Sequence, residues 1–380
     1  MSFLTSEMLS YLESSQQETL SLLTEMAKIP APSHHEEKRA EFVKNWLEAQ
    51  GARGVYIDDA LNVVFPVNCE GRDDIHVFMA HTDVVFPDQE ELPLRIESGR
   101  VFCPGVGDDT ANLAVLMMTV KYILHKGLTP RCGVLFAANS CEEGLGNLKG
   151  CRKLMEDYQG RIREVISLDG CYDDICARAV GSARYRVTVR TEGGHSYGNF
   201  GNRSAVRYLA SMIDTLYAVK VPPKGKTTYN VGLISGGTSV NTIPQEASML
   251  YEYRSDEKES MEQMERAFRG VVAAYEAMGL DVETELVGLR PCMGEVDKNA
   301  HDALLQRCRC AIWEAVGQEC EIPLVPGSTD CNIPLSMGIP AATLGCYIGH
   351  GAHTREEWIE IESLLTGGKV AFGLILPWFE

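Results

Sequence analysis

Three runs, "HVFMAHTDVVF" (76–86), "CGVLFAANS" (132–140) and "REVISLDG" (163–170), are apolar for most of their length and close on polar residues. Runs of this length with β-branched and aromatic content read as strands of a buried sheet. Between the first two lies "TANLAVLMMTVKYILHKG" (110–127), which reads as a buried helix ended by Gly127, and a further helix is expected near 147–157. Upstream, 6–28 reads as one amphipathic helix closed by Pro30 and Pro32, and about 36–50 as a second ended by Gly51. Short strands are expected at 54–58 and 61–67. Strands alternating with helices predict an α/β sheet covered by helices on both faces.

The pattern changes near residue 181. "ARYRVTVRTEG" alternates like a strand with one wet face, and a helix (about 203–218) and strands near 227–235 and 246–254 follow. "DEKESMEQMERAFRGVVAAYEAMG" is an amphipathic helix and "DVETELVGL" a last strand. This β-α-β-β-α-β order is that of ferredoxin-like modules. Beyond it the α/β pattern resumes, with a helix at 299–316, the strand "PAATLG" and a long final helix from about 356. The expected organisation is a mixed α/β domain (1–180 and 291–380) interrupted by an α+β domain at 181–290.

A chain of 380 residues is comfortable for two domains. With 35 Lys plus Arg against 53 Asp plus Glu, its net charge of −18 argues against nucleic acid and anionic membranes as partners. Thirteen cysteines without a CxxC pair suit reduced thiols in the cytoplasm, not a thiolate zinc site. The N-terminus lacks a secretory pattern, and no apolar run approaches the roughly 20 residues that span a bilayer.

Polar clusters stand where the expected strands end, the place where open α/β sheets build their sites. His81 and Asp83 form the first; two residues apart, they would share a face if the strand ran on. Taken alone, the pair fits either a metal-binding histidine steered by a carboxylate or a packed histidine beside a capping aspartate. Asp108 and Asp109 precede a helix and could simply cap it. Glu142 and Glu143 are adjacent carboxylates that resist burial unless cations compensate them. Asp169 ends the third run, and His350 and His353 lie in the glycine-rich "GHGAHTREEW". Imidazoles and carboxylates in this number exceed the needs of one tetrahedral ion and suffice for two ions sharing a carboxylate.

The segments "AHTDVV", "GVGDDTANLA", "SCEEGLGN", "SLDG", "EGGHSYGNFGNRSA", "SGGTSVNTIPQEASMLYEYRS", "GSTD" and "GAHTREEW" follow one another over about residues 78–360. In that order they resemble the zinc-dependent peptidase and amidohydrolase family of peptidase T, carboxypeptidase G, succinyl-diaminopimelate desuccinylase and acetylornithine deacetylase. The resemblance implies that His81, Asp108 and Asp169 hold one divalent ion, with Asp108 bridging to a second held also by Glu143 and His353. Asp83 would orient His81, and Glu142 would be the general base and later the acid. His195 would stabilise the oxyanion from the other subunit of a homodimer formed through the inserted lid. Asn241, Arg254 and the loop Gly327, Ser328, Thr329 would face substrate. The ions would be zinc, with manganese or cobalt as alternatives.

Two departures stand out. The family's usual lysine and glycine after the bridging aspartate are Thr110 and Asn112 here, and His350 has no counterpart role. The aspartate in "SLDG" is shared with peptidase T and dipeptidase relatives, whereas deacylases of the family more often carry glutamate. The expected function is therefore removal of the N-terminal residue from di- or tripeptides. Deacylation of N-acyl amino acids by the same mechanism is the alternative, and a catalytically silent metal-binding scaffold a more distant one.

Overall fold

The computed structural model describes residues 3–380. The chain divides into two compact units, one taking the chain up to Ala179 and from Gly294 onward, the other Val180–Met293.

In the first unit the helices α1 (Ser6–Ser14), α2 (Gln16–Ala27) and α3 (Glu37–Ala49) precede the strands β1 (Tyr56–Ile57), β2 (Val63–Val67) and β3 (Ile75–His81). Then come α4 (Asn112–Lys126), β4 (Gly133–Asn139), α5 (Lys149–Asp157), β5 (Ile162–Leu168) and β6 (Ile175–Ala179). The mixed α/β class expected from the sequence is the one observed. The eight-stranded sheet also takes two strands from beyond the second unit, here β11 (Leu324–Gly327) and β12 (Ala341–Leu344). Its order is β1-β2-β4-β3-β5-β12-β6-β11, with the central β4, β3, β5 and β12 parallel to one another. All seven residues of β3 and of β4 are buried, so both faces of the sheet are covered. Leu113, Leu116, Met117 and Val120 of α4 pack in the same core as Phe78 and Phe136.

The second unit runs β7 (Gly181–Arg190), α6 (Ala205–Tyr217), β8 (Thr227–Gly236), β9 (Glu246–Ser255), α7 (Lys258–Ala277) and β10 (Asp281–Arg290). Its antiparallel sheet has the order β8-β9-β7-β10. Alternate residues of β7 and β9, among them Val187, Val189, Met249 and Tyr251, meet Leu209, Met212 and Phe268 of the two helices.

Three expectations need correction. The single helix over 6–28 is two: Ser15, between them, has φ −97° and ψ 4°, off the helical values, and its hydroxyl also donates to the Tyr11 carbonyl. The final helix does not begin near 356. Trp358–Glu360 is a strand, paired with Arg100–Phe102, and the final helix spans Ser363–Ile375. Neither aspartate of "GVGDD" caps α4: Asp108 and Asp109 have non-helical backbone angles, their peptide bond is cis, and Ala111 precedes the helix.

Candidate active site

The parallel strands deliver the polar clusters to one end of the sheet. His81 is the last residue of β3, Asp169 follows β5, and Glu142 and Glu143 follow β4 by three and four residues. Asp108 lies in the irregular turn before α4, and His353 in the loop between Gly349–His350 and Trp358–Glu360, with a left-handed backbone (φ 65°).

Asp108 is the hub. Its Oδ1 lies 3.0 Å from His81 Nε2 and its Oδ2 3.1 Å from His353 Nε2, which is also 3.0 Å from Glu143 Oε1. Two groups of donor atoms result, His81–Asp108–Asp169 and Asp108–Glu143–His353; within each, all donor atoms lie within 4.8 Å of one another. Burial alone would suppress the His81 imidazolium, but the Asp109, Asp108 and Asp83 carboxylates outweigh it and hold the group well above its usual range. Hydrogen bonds to Asp108 and Glu143 push His353 to about 10. Burial, followed by the Asp108 charge, raises Asp169 to about 7. Carboxylates crowded in a buried place call for compensating positive charge. The imidazole and carboxylate donors suit a hard or borderline divalent ion, and neither group contains a thiolate. The residues therefore fit two ions sharing Asp108.

Asp83 acts differently from the same-face pairing expected. The strand ends at His81, whose Nδ1 lies closer to the Asp83 carbonyl oxygen (3.0 Å) than to its carboxylate (3.4 Å). That carboxylate accepts the N–H groups of Glu142 and Glu143, both at 2.9 Å, and the Ser33 hydroxyl at 2.6 Å. It thus ties the β3 end to the Glu142–Glu143 turn. Glu142 is buried and belongs to neither donor group. Asp109 belongs to neither donor group: its oxygens accept the His81 backbone N–H and the Asn112 side-chain amide.

The two departures now have structural partners. The Thr110 hydroxyl donates to the Gly105 carbonyl, and Asn112 links Asp109 and Gly170 to the Cys346 N–H. Thr110 also receives a bond from Arg39, fully buried, which donates to the Thr82 and Ile29 carbonyls as well.

Within the first unit, the 327–330 loop is anchored beside this strand end. The Thr329 hydroxyl pairs with that of Thr343, and buried Asp330 accepts a 2.5 Å bond from Asn139, the last residue of β4. A Cβ on Gly327 would meet Cys176 Sγ at 2.6 Å. Ser328 follows in the same loop. His350 packs edge-on against Trp358, with ring centroids 5.3 Å apart.

The second unit holds the other expected residues. His195 lies in a two-residue strand paired with Thr242–Ile243, its ring Nδ1 accepting the N–H groups of Tyr197 and Gly198. The Asn241 carbonyl accepts the Ser196 N–H, which keeps Asn241 beside His195. Arg254 is not with them; it lies towards the far end of β9, bonded to Glu252.

Several residues escaped the sequence reading: Ser33; Glu36, which accepts the Cys141 N–H; Arg39; and Glu357. The Glu357 carboxylate accepts the N–H groups of Gly105 (2.7 Å), Gly107 (2.8 Å) and Asp108 (2.8 Å). Each works through a contact remote in sequence, which no local pattern marks.

The fold and the donor set define a metal-dependent hydrolase. Residues 77–376 match the peptidase family M20/M25/M40, and the chain belongs to it. Over 351 residues it is 26% identical to a succinyl-diaminopimelate desuccinylase of Corynebacterium glutamicum, covering 90% of this chain and 92% of the other. A tripeptidase from Staphylococcus aureus has the same fold, with a TM-score of 0.75, 21% identity and coverage of 94% of this chain and 97% of that one. So does the Bacillus subtilis YXEP protein, described as a dinuclear metal-binding peptidase of the M20 family. Its TM-score is 0.61 at 17% identity, with 96% and 99% of the two chains covered.

Proposed function

We propose that this chain is a dinuclear metallopeptidase that removes the N-terminal residue of di- or tripeptides. The observation that carries the reading is the pair of donor groups sharing Asp108, with Glu142 buried beside them and outside both. His81 and Asp169 would hold one ion, Glu143 and His353 the other, and Asp108 both. Zinc suits the donors best, with manganese or cobalt as substitutes. Two ions held there would supply Lewis-acid activation of a water and of the scissile carbonyl.

The remaining work falls to side chains. Glu142 takes the proton of the attacking water and returns it to the leaving amine. Asp83 fixes the Glu142 backbone and contacts His81. Because two backbone N–H groups donate to His195 Nδ1, the neutral ring carries its proton on Nε2 and offers a donor to the oxyanion. We assign that donor to the partner subunit of a homodimer. The edge strand β8 supports this, since it exposes Leu233 and Ile234, while Tyr197 and Phe200 beside His195 are each 90% exposed. Asn241, Arg254 and the Gly327–Ser328–Thr329 loop would contact the rest of the substrate.

We place the protein in the cytoplasm, a reading supported by the free state of every cysteine among the described residues. No described helix is long and apolar enough to cross a membrane. One observation favours a second reading, deacylation of N-acyl amino acids: the similarity to a desuccinylase along nearly the whole chain.

The test is amide hydrolysis by metal-loaded protein, with a chelator-treated control, on free di- and tripeptides, their N-acetylated forms and N-acyl amino acids. Metal-dependent release of the N-terminal residue from free peptides is expected. Turnover of acylated substrates alone would move the assignment to a deacylase, and turnover of none would overturn both.

A further inference from the structure

We infer that Glu357 is the positioning residue for Asp108, acting on the backbone that carries the shared carboxylate and not on the ions. The inference rests on the proposed role of Asp108.

The turn 105–109 belongs to no strand, and its backbone has left the helical path. Gly105 is left-handed (φ 72°), Asp108 has φ −98° and ψ 90°, and Asp109 has φ −124° and ψ 20°. N–H groups in such a turn need acceptors from elsewhere once buried. Glu357, only 2% exposed, provides both its oxygens: Oε2 takes Gly105, and Oε1 takes Gly107 and Asp108. Three backbone donors thus converge on one carboxyl group, each at 2.7–2.8 Å. On another side the turn is hemmed in by Tyr347, whose hydroxyl would lie 2.6 Å from a Cβ at position 107.

The consequence for the site is geometric. Asp108 spans two imidazoles, 3.0 and 3.1 Å from its two oxygens. A shift of its backbone by about 0.5 Å, the tolerance of a preorganised site, would spoil one contact or the other. Glu357 follows His353 by four residues, so one segment supplies both a donor to the second group and the anchor for the donor common to both. A buried carboxylate is a costly way to hold a loop that has only a structural task. It is well suited to fixing the direction of three N–H groups at once.

The experiment uses the full chain, freed of metal with a chelator and reloaded with cobalt(II). Affinity is read by competition and coordination by the cobalt d–d absorption. Glu357→Gln retains one acceptor oxygen and turns an NH2 group towards backbone N–H groups. It should weaken cobalt binding by about 10–100-fold, the usual effect of losing a group that orients a ligand, and alter the spectrum. Glu164→Gln is the control. Glu164 is also buried, pairs with His76 and Arg307, and lies at the opposite end of β3 from His81. That variant should keep the wild-type cobalt affinity and spectrum even if it melts earlier.

Wild-type affinity and spectrum in Glu357→Gln would overturn the inference, as would an equal loss in Glu164→Gln. Should Glu357→Gln fail to fold, Glu357→Asp decides by the same two readouts. It keeps the charge but falls one methylene short, and unchanged cobalt binding there would overturn the inference. A wild-type chain that does not take up two cobalt ions would instead overturn the metal site itself.

Discussion

The Asp83 carboxylate meets four groups: the Ser33 hydroxyl, the Glu142 and Glu143 N–H groups and the His81 ring. An asparagine there would keep one acceptor oxygen and oppose an amide N–H to a backbone N–H. Asp83→Asn should therefore lower kcat by about 10–100-fold with a smaller change in KM, as steady-state kinetics on a turned-over peptide would show. A fall in KM-dependent binding alone would argue against the tie. Protonation adds a second expectation. In the metal-free chain, bonds to Asp108 and Glu143 raise His353 to about 10. A raised histidine contributes stability that is present below its unfolded value of about 6.5 and is lost as pH climbs through the folded value. The melting temperature in chelator should accordingly fall between pH 6.5 and 10. The gap to the metal-loaded protein should widen over the same range, because the ions need the neutral imidazole. A constant gap would contradict the pairing. The donor types were legible in the sequence because metals select them. Ser33 and Glu357 were not, because their partners lie 50 and about 250 residues away, and Glu357's are backbone groups that leave no mark on composition.

The elements were readable where periodicity is long and failed where a short contact overrides it. The strands β3, β4 and β5 announced themselves as apolar runs. Trp358–Glu360 did not: three residues show no period, and the acidic, tryptophan-bearing stretch resembles a helix start until Phe102 and Val101 are seen opposite. β6 and β11 escaped for a similar reason, as five- and four-residue strands with polar or proline interruptions. The turn before α4 is the element on which the site depends most. Its Gly107 is needed for space, with the Tyr347 ring where a side chain would go, and not for a positive φ. Gly107→Ala should cost about 1–3 kcal/mol by overpacking. It should also weaken cobalt binding, since relief is available only by moving the turn. Denaturant unfolding and a cobalt titration would check the two effects, and a stable variant with native cobalt affinity would mean that Tyr347 gives way instead.

At the scale of the whole molecule, the insertion was visible as a change from buried runs to alternating strands, whereas only the family resemblance, and no local pattern, bore on how copies of the chain associate. The β-α-β-β-α-β unit leaves β8 as an edge strand with apolar residues exposed, and natural proteins rarely leave such an edge uncovered. A two-fold dimer through that edge predicts that Ile234→Asp yields monomers in analytical ultracentrifugation. If His195 then serves the partner's site, the consequence is arithmetical. Glu142→Gln and His195→Ala should each be inactive alone. After subunit exchange about half of the dimers are mixed, and each mixed dimer has one site with an intact Glu142 from one chain and an intact His195 from the other. Activity should then recover to about a quarter of wild type. Exchange is followed independently with differently tagged chains. Proven exchange without recovery would place His195 at the site of its own chain, or at none.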